Sequence, residues 1–202
     1  MPSHPEPRIA ALILAAGGSR RLGRPKQLLP YGSGVLLDAA LATARSSGFD
    51  QAVVAVGGAA DEVRVAVDTR GFDLVENRPF GEGCSSSIAA ALPALHPDTD
   101  VLVLLLGDQP GVSVETVRRL VEGRGDHEIA VCRYDDGIGH PFAFARAAFP
   151  QLAALHGDKG VWRLIEQRSA DVAEVAVPGR IPLDVDTEAD YESVLAELED
   201  AR

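Results

Sequence analysis

The chain has 202 residues, 46% hydrophobic and 24% charged, which is the composition of an ordinary globular domain. Its 30 Asp and Glu outnumber 19 Lys and Arg, and the net charge of -11 excludes nucleic acid as main partner, because phosphate-backbone binding needs a dominant basic face. No apolar run reaches the ~18 residues of a membrane-spanning helix. Residues 1–7 lack the basic-then-apolar order of a signal peptide. Two distant cysteines, Cys84 and Cys132, point away from a disulfide framework or a cysteine-built zinc site. A reducing cytoplasm is the expected setting.

The first eight residues, rich in proline, read as a flexible tail, and residues 9–202 as one domain. Residues 9–14 form an apolar run expected of a strand covered on both faces. After a glycine loop, Leu36, Leu37, Ala40, Leu41 and Ala44 recur at helical spacing, with Gly48 as the stop. Residues 52–56 predict a strand. Asp61 is placed to cap a helix carrying Val63 and Val67, and Leu74-Val75 predicts a weak strand. A helix is expected over 85–95, then the strongest strand, 101–106, then a helix capped by Ser113. Strands are expected at 129–132, 141–145 and 172–177. Short helices are expected at 147–156 and 160–167, an edge-like run at 181–184, and a closing helix at 188–198. This alternation predicts an α/β domain, three-layered and doubly wound around a mainly parallel sheet. Ligands of such sheets sit beyond the carboxyl ends of the strands, which singles out the loops after Leu14, Val56 and Leu106.

The first of these loops reads Leu14-Ala15-Ala16-Gly17-Gly18-Ser19-Arg20-Arg21-Leu22-Gly23-Arg24-Pro25-Lys26. Paired glycines turn backbone N–H groups toward a ligand, and four cations crowd seven residues of an acidic protein. Amides and cations together suit a polyphosphate. The spacing is neither a P-loop nor a Rossmann fingerprint. Asp108 follows the strongest strand, where one carboxylate beside phosphate oxygens suits Mg²⁺. Asp184 and Asp186 project to one side of an extended segment. Thr187 and Asp190 have capping-box spacing. Trp162 shares helical spacing with Ile165 and reads as core, and Cys84 has no base beside it in sequence.

From Leu14 to Lys26 the chain resembles the signature L-A-A-G-x-S-x-R-[ML]-G-x-x-K of the nucleotidyltransferases that mature the molybdenum cofactor. Further similar segments are Asn77 with 81–87, Gly107-Asp108-Gln109-Pro110, Gly139-His140-Pro141, Gly157-Asp158-Lys159-Gly160 and Asp184-Val185-Asp186-Thr187. The resemblance implies a GT-A-like fold and transfer of a nucleoside monophosphate from its triphosphate to the terminal phosphate of molybdopterin, with release of pyrophosphate. It implies that Leu14 to Ser19, Arg20 and Lys26 hold the nucleotide, and that Arg20, Lys26 and Asp108 are catalytic. Asp108 would bind Mg²⁺ with Asp184 or Asp186. Asn77, Ser85 and Ser87 would lie along the nucleoside or the acceptor, and Gln109, His140, Asp158 and Lys159 on the acceptor side. The Leu-Ala-Ala-Gly opening and Gln109 resemble the cytidylyl-transferring branch of these MobA-like enzymes, which favours CTP. A transient molybdenum hydroxylase partner is implied, with a monomer as default. Other readings stay open: GTP or another phosphorylated acceptor, a relative recruited to redox work on a small aromatic compound, or a cofactor-carrying protein.

Overall fold

The computed structural model describes residues 6–19, 21–79, 81 and 83–200. Seven strands make one sheet: β1 (Ile9–Ala15), β4 (Gln51–Val56), β5 (Asp73–Glu76), β6 (Val101–Leu106), β7 (Ile129–Tyr134), β8 (Gly137–Ala145) and β9 (Val172–Ala176), with β2 (Pro30–Tyr31) and β3 (Gly34–Val35) in a separate hairpin. The order is β5-β4-β1-β6-β8-β7-β9. All neighbours pair in parallel except β8, which runs antiparallel to both β6 and β7. The expected mainly parallel sheet is therefore the one observed. Arg8 closes its start, exchanging hydrogen bonds with Asp100.

The central strands β1, β4 and β6 are almost wholly apolar because both faces are covered, while the outer strands β5, β7 and β9 carry charged residues at exposed positions. Ala11, Ile13, Val54, Val103 and Leu105 pack under α1 (Leu36–Ser46), α2 (Ala60–Ala66) and α4 (Val114–Gly123). The alternate residues Leu12, Val53, Leu102, Leu104, Phe142 and Phe144 pack under α3 (Cys84–Ala91), α5 (Phe149–Ala153) and α6 (Gly160–Gln167). Period-two alternation thus supplies both layers of a doubly wound fold. A small third cluster, Leu29, Leu36, Val185, Tyr191 and Val194, seats α7 (Glu188–Asp200) against the hairpin. The Tyr191 hydroxyl donates to the Pro30 carbonyl at 2.5 Å.

Ser113 accepts the Thr116 N–H at 3.1 Å, the expected cap of α4. Thr187 and Asp190 form the reciprocal box at the start of α7. Two local expectations fail. The residue preceding α2 is Ala59, so Asp61 sits inside the first turn, where its charge favours the helix dipole without capping. Residues 181–184 form no strand. Their backbone is tied instead to the loop after β6, where Gln109 donates to the Pro182 carbonyl at 2.5 Å and Val185 N–H to the Asp108 carbonyl at 3.2 Å.

Candidate functional site

Strand order reverses beside β1, with β4 on one side and β6 on the other. At such a switch point the loops leaving two neighbouring strands diverge and open a crevice. A cleft of about 380 Å³ lies there, lined by residues 14–19, Arg21, Lys26 and Gln27 from the first loop. Gly81, Gly83, Cys84 and Ser87 come from the start of α3, Leu106 to Asp108 from the end of β6, and Asp158 and Asp186 from the far loops. Gly107 lets the two strand ends close together. A Cβ there would stand 3.1 Å from the Leu14 carbonyl oxygen and 3.0 Å from Leu37, tighter than ordinary packing.

The glycine loop is braced from below. Gln27, almost fully buried, donates through Nε2 to the Ala15 carbonyl at 2.7 Å and the Gly17 carbonyl at 3.1 Å. Carbonyls tied back in this way fix the course of the loop along the cleft. Nothing local in the sequence marks Gln27, because its partners are main-chain atoms ten and twelve residues upstream. Ser19 carries the only positive φ among described non-glycine residues, 46°, and its hydroxyl accepts the Lys26 N–H at 2.9 Å. Replacing Gln27 by Leu removes both bonds and strands two carbonyls. It is expected to cost about 2 kcal/mol, read as a lower melting temperature. An unchanged melting temperature would exclude the brace.

Carboxylates face this loop. Asp108, Asp184 and Asp186 each offer an oxygen, and the three oxygens lie within 4.8 Å of one another. Lys26 Nζ pairs with Asp108 and, at 2.8 Å, with Asp186 Oδ1. Arg21 reaches Asp186 Oδ2 at 3.2 Å, and Arg24 holds Glu188 at 2.7 Å. Arg20 lies outside the described residues. Burial pushes the Asp108 carboxyl above its ordinary range, opposed by the Lys26 charge. Burial acts to lower the Lys26 amine, but Asp108 and Asp186 outweigh it and hold the amine above its ordinary value, so it stays charged.

The other predicted residues divide in two. Ser87 and Asp158 line the cleft, while Asn77, Ser85, Gln109, His140 and Lys159 do not. Asn77 is fully buried and donates to the hydroxyls of Ser86 and Ser87, both at 2.9 Å. Ser85 donates to the Gly157 carbonyl at 2.6 Å, and Asp158 accepts the Cys84 N–H at 3.1 Å. These bonds clasp the 157–160 loop to the start of α3. Gln109 pins the segment that carries Asp184 and Asp186, and Lys159 is an exposed residue at the start of α6. The Cys84 thiol is pushed up to about 11 by burial, with Asp158 and Asp108 adding to it, so no thiolate nucleophile forms at neutral pH.

His140 packs away from the cleft, its ring centroid 4.1 Å from Phe142 and 6.1 Å from Trp162. Trp162 is core, as its spacing predicts. Burial pulls the imidazole down to about 3 from 6.5, so the folded protein carries it neutral. Between those values the unfolded chain binds more protons, and stability falls as pH falls. Moving from pH 7 to pH 5 is expected to cost wild type about 2 kcal/mol more than His140→Gln in urea unfolding. Parallel losses in the two proteins would reject a neutral buried ring.

Comparison with known proteins agrees with this fold. The MobA-like NTP transferase domain matches residues 11–172. The chain is 32% identical over 171 residues to nicotine blue oxidoreductase of Paenarthrobacter nicotinovorans, covering 80% of this chain and 83% of that protein. The crystal structure of a Mycobacterium tuberculosis Rv0371c homologue from Mycobacterium sp. strain JC1 superposes with a TM-score of 0.91 at 49% identity, covering 96% of this chain and 98% of that one. Rv0371c of Mycobacterium tuberculosis H37Rv in complex with manganese gives a TM-score of 0.85 at 46% identity, covering 94% and 98%. With the family match running over most of its length, the chain belongs to the MobA-like NTP transferase family, as a nucleotidyltransferase.

Proposed function

We propose that the chain, acting through residues 9–202 as one unit in the cytoplasm, moves CMP from CTP to the terminal phosphate of a molybdopterin-type cofactor and releases pyrophosphate. The observation that carries this reading is the Asp108–Asp184–Asp186 cluster opposite the braced glycine loop. The donor set is all carboxylate oxygen, which fits a hard divalent cation such as Mg²⁺. When bound there, such an ion supplies charge neutralisation and orientation for the triphosphate.

The chain's own residues do the rest. An acceptor phosphate is already ionised at neutral pH, so no strong general base is required. Two polyanions must instead be held together and the charge growing on pyrophosphate neutralised. The amides of Gly17 and Gly18, in a loop whose carbonyls Gln27 braces, would hold phosphate oxygens, and Arg20 and Lys26 would supply positive charge. Ala15, Ala16, Ser87 and Gly83 would shape the nucleoside pocket, with Asn77 setting the Ser87 hydroxyl. The methyl group of Ala16, on the cleft wall, supports a pyrimidine over a purine. Asp158 would border the acceptor, with the clasp through Ser85 holding that border in place. The finished cofactor would pass to a molybdenum hydroxylase.

The test is pyrophosphate release with CTP or GTP, Mg²⁺ and purified cofactor. Release with CTP supports the reading, release with GTP alone transfers it to guanylyl transfer, and no release with either rejects it. The name of the 32%-identical relative supports a second reading, redox work on a small aromatic compound. That reading gains only if no triphosphate is turned over and such a compound is reduced.

A further inference from the structure

The Lys26 amine lies between two of the three carboxylates that would hold the metal. It pairs with Asp108 and with Asp186 Oδ1, while Arg21 takes Asp186 Oδ2. The loop that would meet the triphosphate and the carboxylates that would meet the metal therefore neutralise each other. Both oxygens of Asp186 and one of Asp108 are already engaged by Lys26 and Arg21, and an ammonium between the two carboxylates repels a divalent cation placed there. A triphosphate needs the ammonium that the same oxygens hold.

We propose that Lys26 is a resident cation that the metal must displace, which makes metal and triphosphate bind as a coupled pair. The proposal rests on the nucleotidyltransferase reading and adds to it a dependence between two ligands. Metal alone would push Lys26, whose side chain is only 12% exposed, off Asp108 with no new anion to meet. Triphosphate alone would draw Lys26 away and leave Asp108, 13% exposed, beside Asp184 and Asp186 with only the exposed Arg21 against Asp186 as counter-charge. Arriving together, each ligand takes the partner that the other sets free. Carboxylates keep a cation and the ammonium keeps an anion. Linkage makes the effect reciprocal, so whatever CTP does for metal affinity the metal does for CTP affinity. Arg21 adds less, because its pair with Asp186 is largely solvent-exposed.

The experiment titrates Mn²⁺, without nucleotide, into wild type, Lys26→Met and Lys26→Gln at mildly alkaline pH, reading free Mn²⁺ by electron paramagnetic resonance. Removing the resident cation is expected to tighten Mn²⁺ binding about tenfold or more, and adding Asp186→Asn should erase the gain. Wild type supplies a measurement that needs no variant: CTP in EDTA should bind about tenfold or more weakly than CTP with Mn²⁺. If wild type binds Mn²⁺-CTP but the Lys26 variants gain nothing for Mn²⁺ alone, the displacement idea is overturned and the site reading stands. Equal CTP affinity with and without Mn²⁺ also overturns it. If wild type takes neither Mn²⁺ nor Mn²⁺-CTP, the site reading falls and takes this inference with it.

Discussion

Asp108→Asn is expected to lower pyrophosphate release by about a thousandfold or more while the sheet stays folded. The amide keeps the shape of the side chain but not its charge. Lys26 keeps Asp186 as partner, and the Asp108 carbonyl still receives the Val185 N–H, so nothing else in the loop after β6 is lost. Near-wild-type turnover with intact folding would remove Asp108 from the chemistry. Lys26→Ala is expected to be as inactive but also less stable, by about 3 kcal/mol, since it leaves Asp108 buried without its partner. Its pH dependence separates the two effects. Burial raises the folded value of the Asp108 carboxyl, so the folded state holds its proton more tightly than the unfolded chain. Stability from that group is present at low pH and lost as pH rises through the raised value. The stability gap between Lys26→Ala and wild type should therefore narrow as the solution is acidified. A constant gap would mean that Asp108 is not the stranded charge.

The second large effect falls on Gly83, just before α3. Its φ is +98°, a conformation that side chains rarely adopt. A Cβ there would stand 2.6 Å from Asp158 Oδ1, 2.7 Å from the Asp158 nitrogen and 2.8 Å from the Gly157 carbonyl carbon. Two of those three atoms are backbone, so rotating a side chain gives no relief. Gly83→Ala must either carry the strain or part the 157–160 loop from α3. The expected loss is about 3 kcal/mol, or roughly 6–12 °C in melting temperature for a chain of this size. Activity should fall further than stability predicts, because Asp158 and Cys84 both line the cleft. A variant that melts like wild type would show that this clasp is loose in solution.

Most of the sheet could be read from the sequence because its strands are buried on both faces, so that burial appears as unbroken apolar runs such as Val101–Leu106. The glycine loop and Asp108 were legible for a related reason: their residue types are set by what they face, and they follow strand ends directly. What escaped was whatever depends on atoms distant in sequence. Gln27 acts by reaching main-chain carbonyls, which leaves no pattern of residue types to detect, and Gln109, singled out by its motif for the acceptor side, reaches the Pro182 carbonyl instead. His140 sits beside a motif-like Gly-x-Pro, yet Phe142 and Trp162 decide where its ring goes. The two hairpin strands have two residues each, too short for any alternation to show. Residues 181–183 are apolar and look like a strand, but their backbone bonds go to the side chains of Asp136 and Gln109.

Asp184 and Asp186 stand outside the sheet, on an arm that the five-residue cluster around Tyr191 and a few bonds to the loops hold in place. Its hold on the body is small beside the two layers that cover the strands. Local opening of this arm would cost far less than global unfolding. The persistence of the carboxylate cluster and the persistence of the fold are thus separate quantities, and substitutions at Val185, Tyr191 or Val194 can lower the first while barely moving the second.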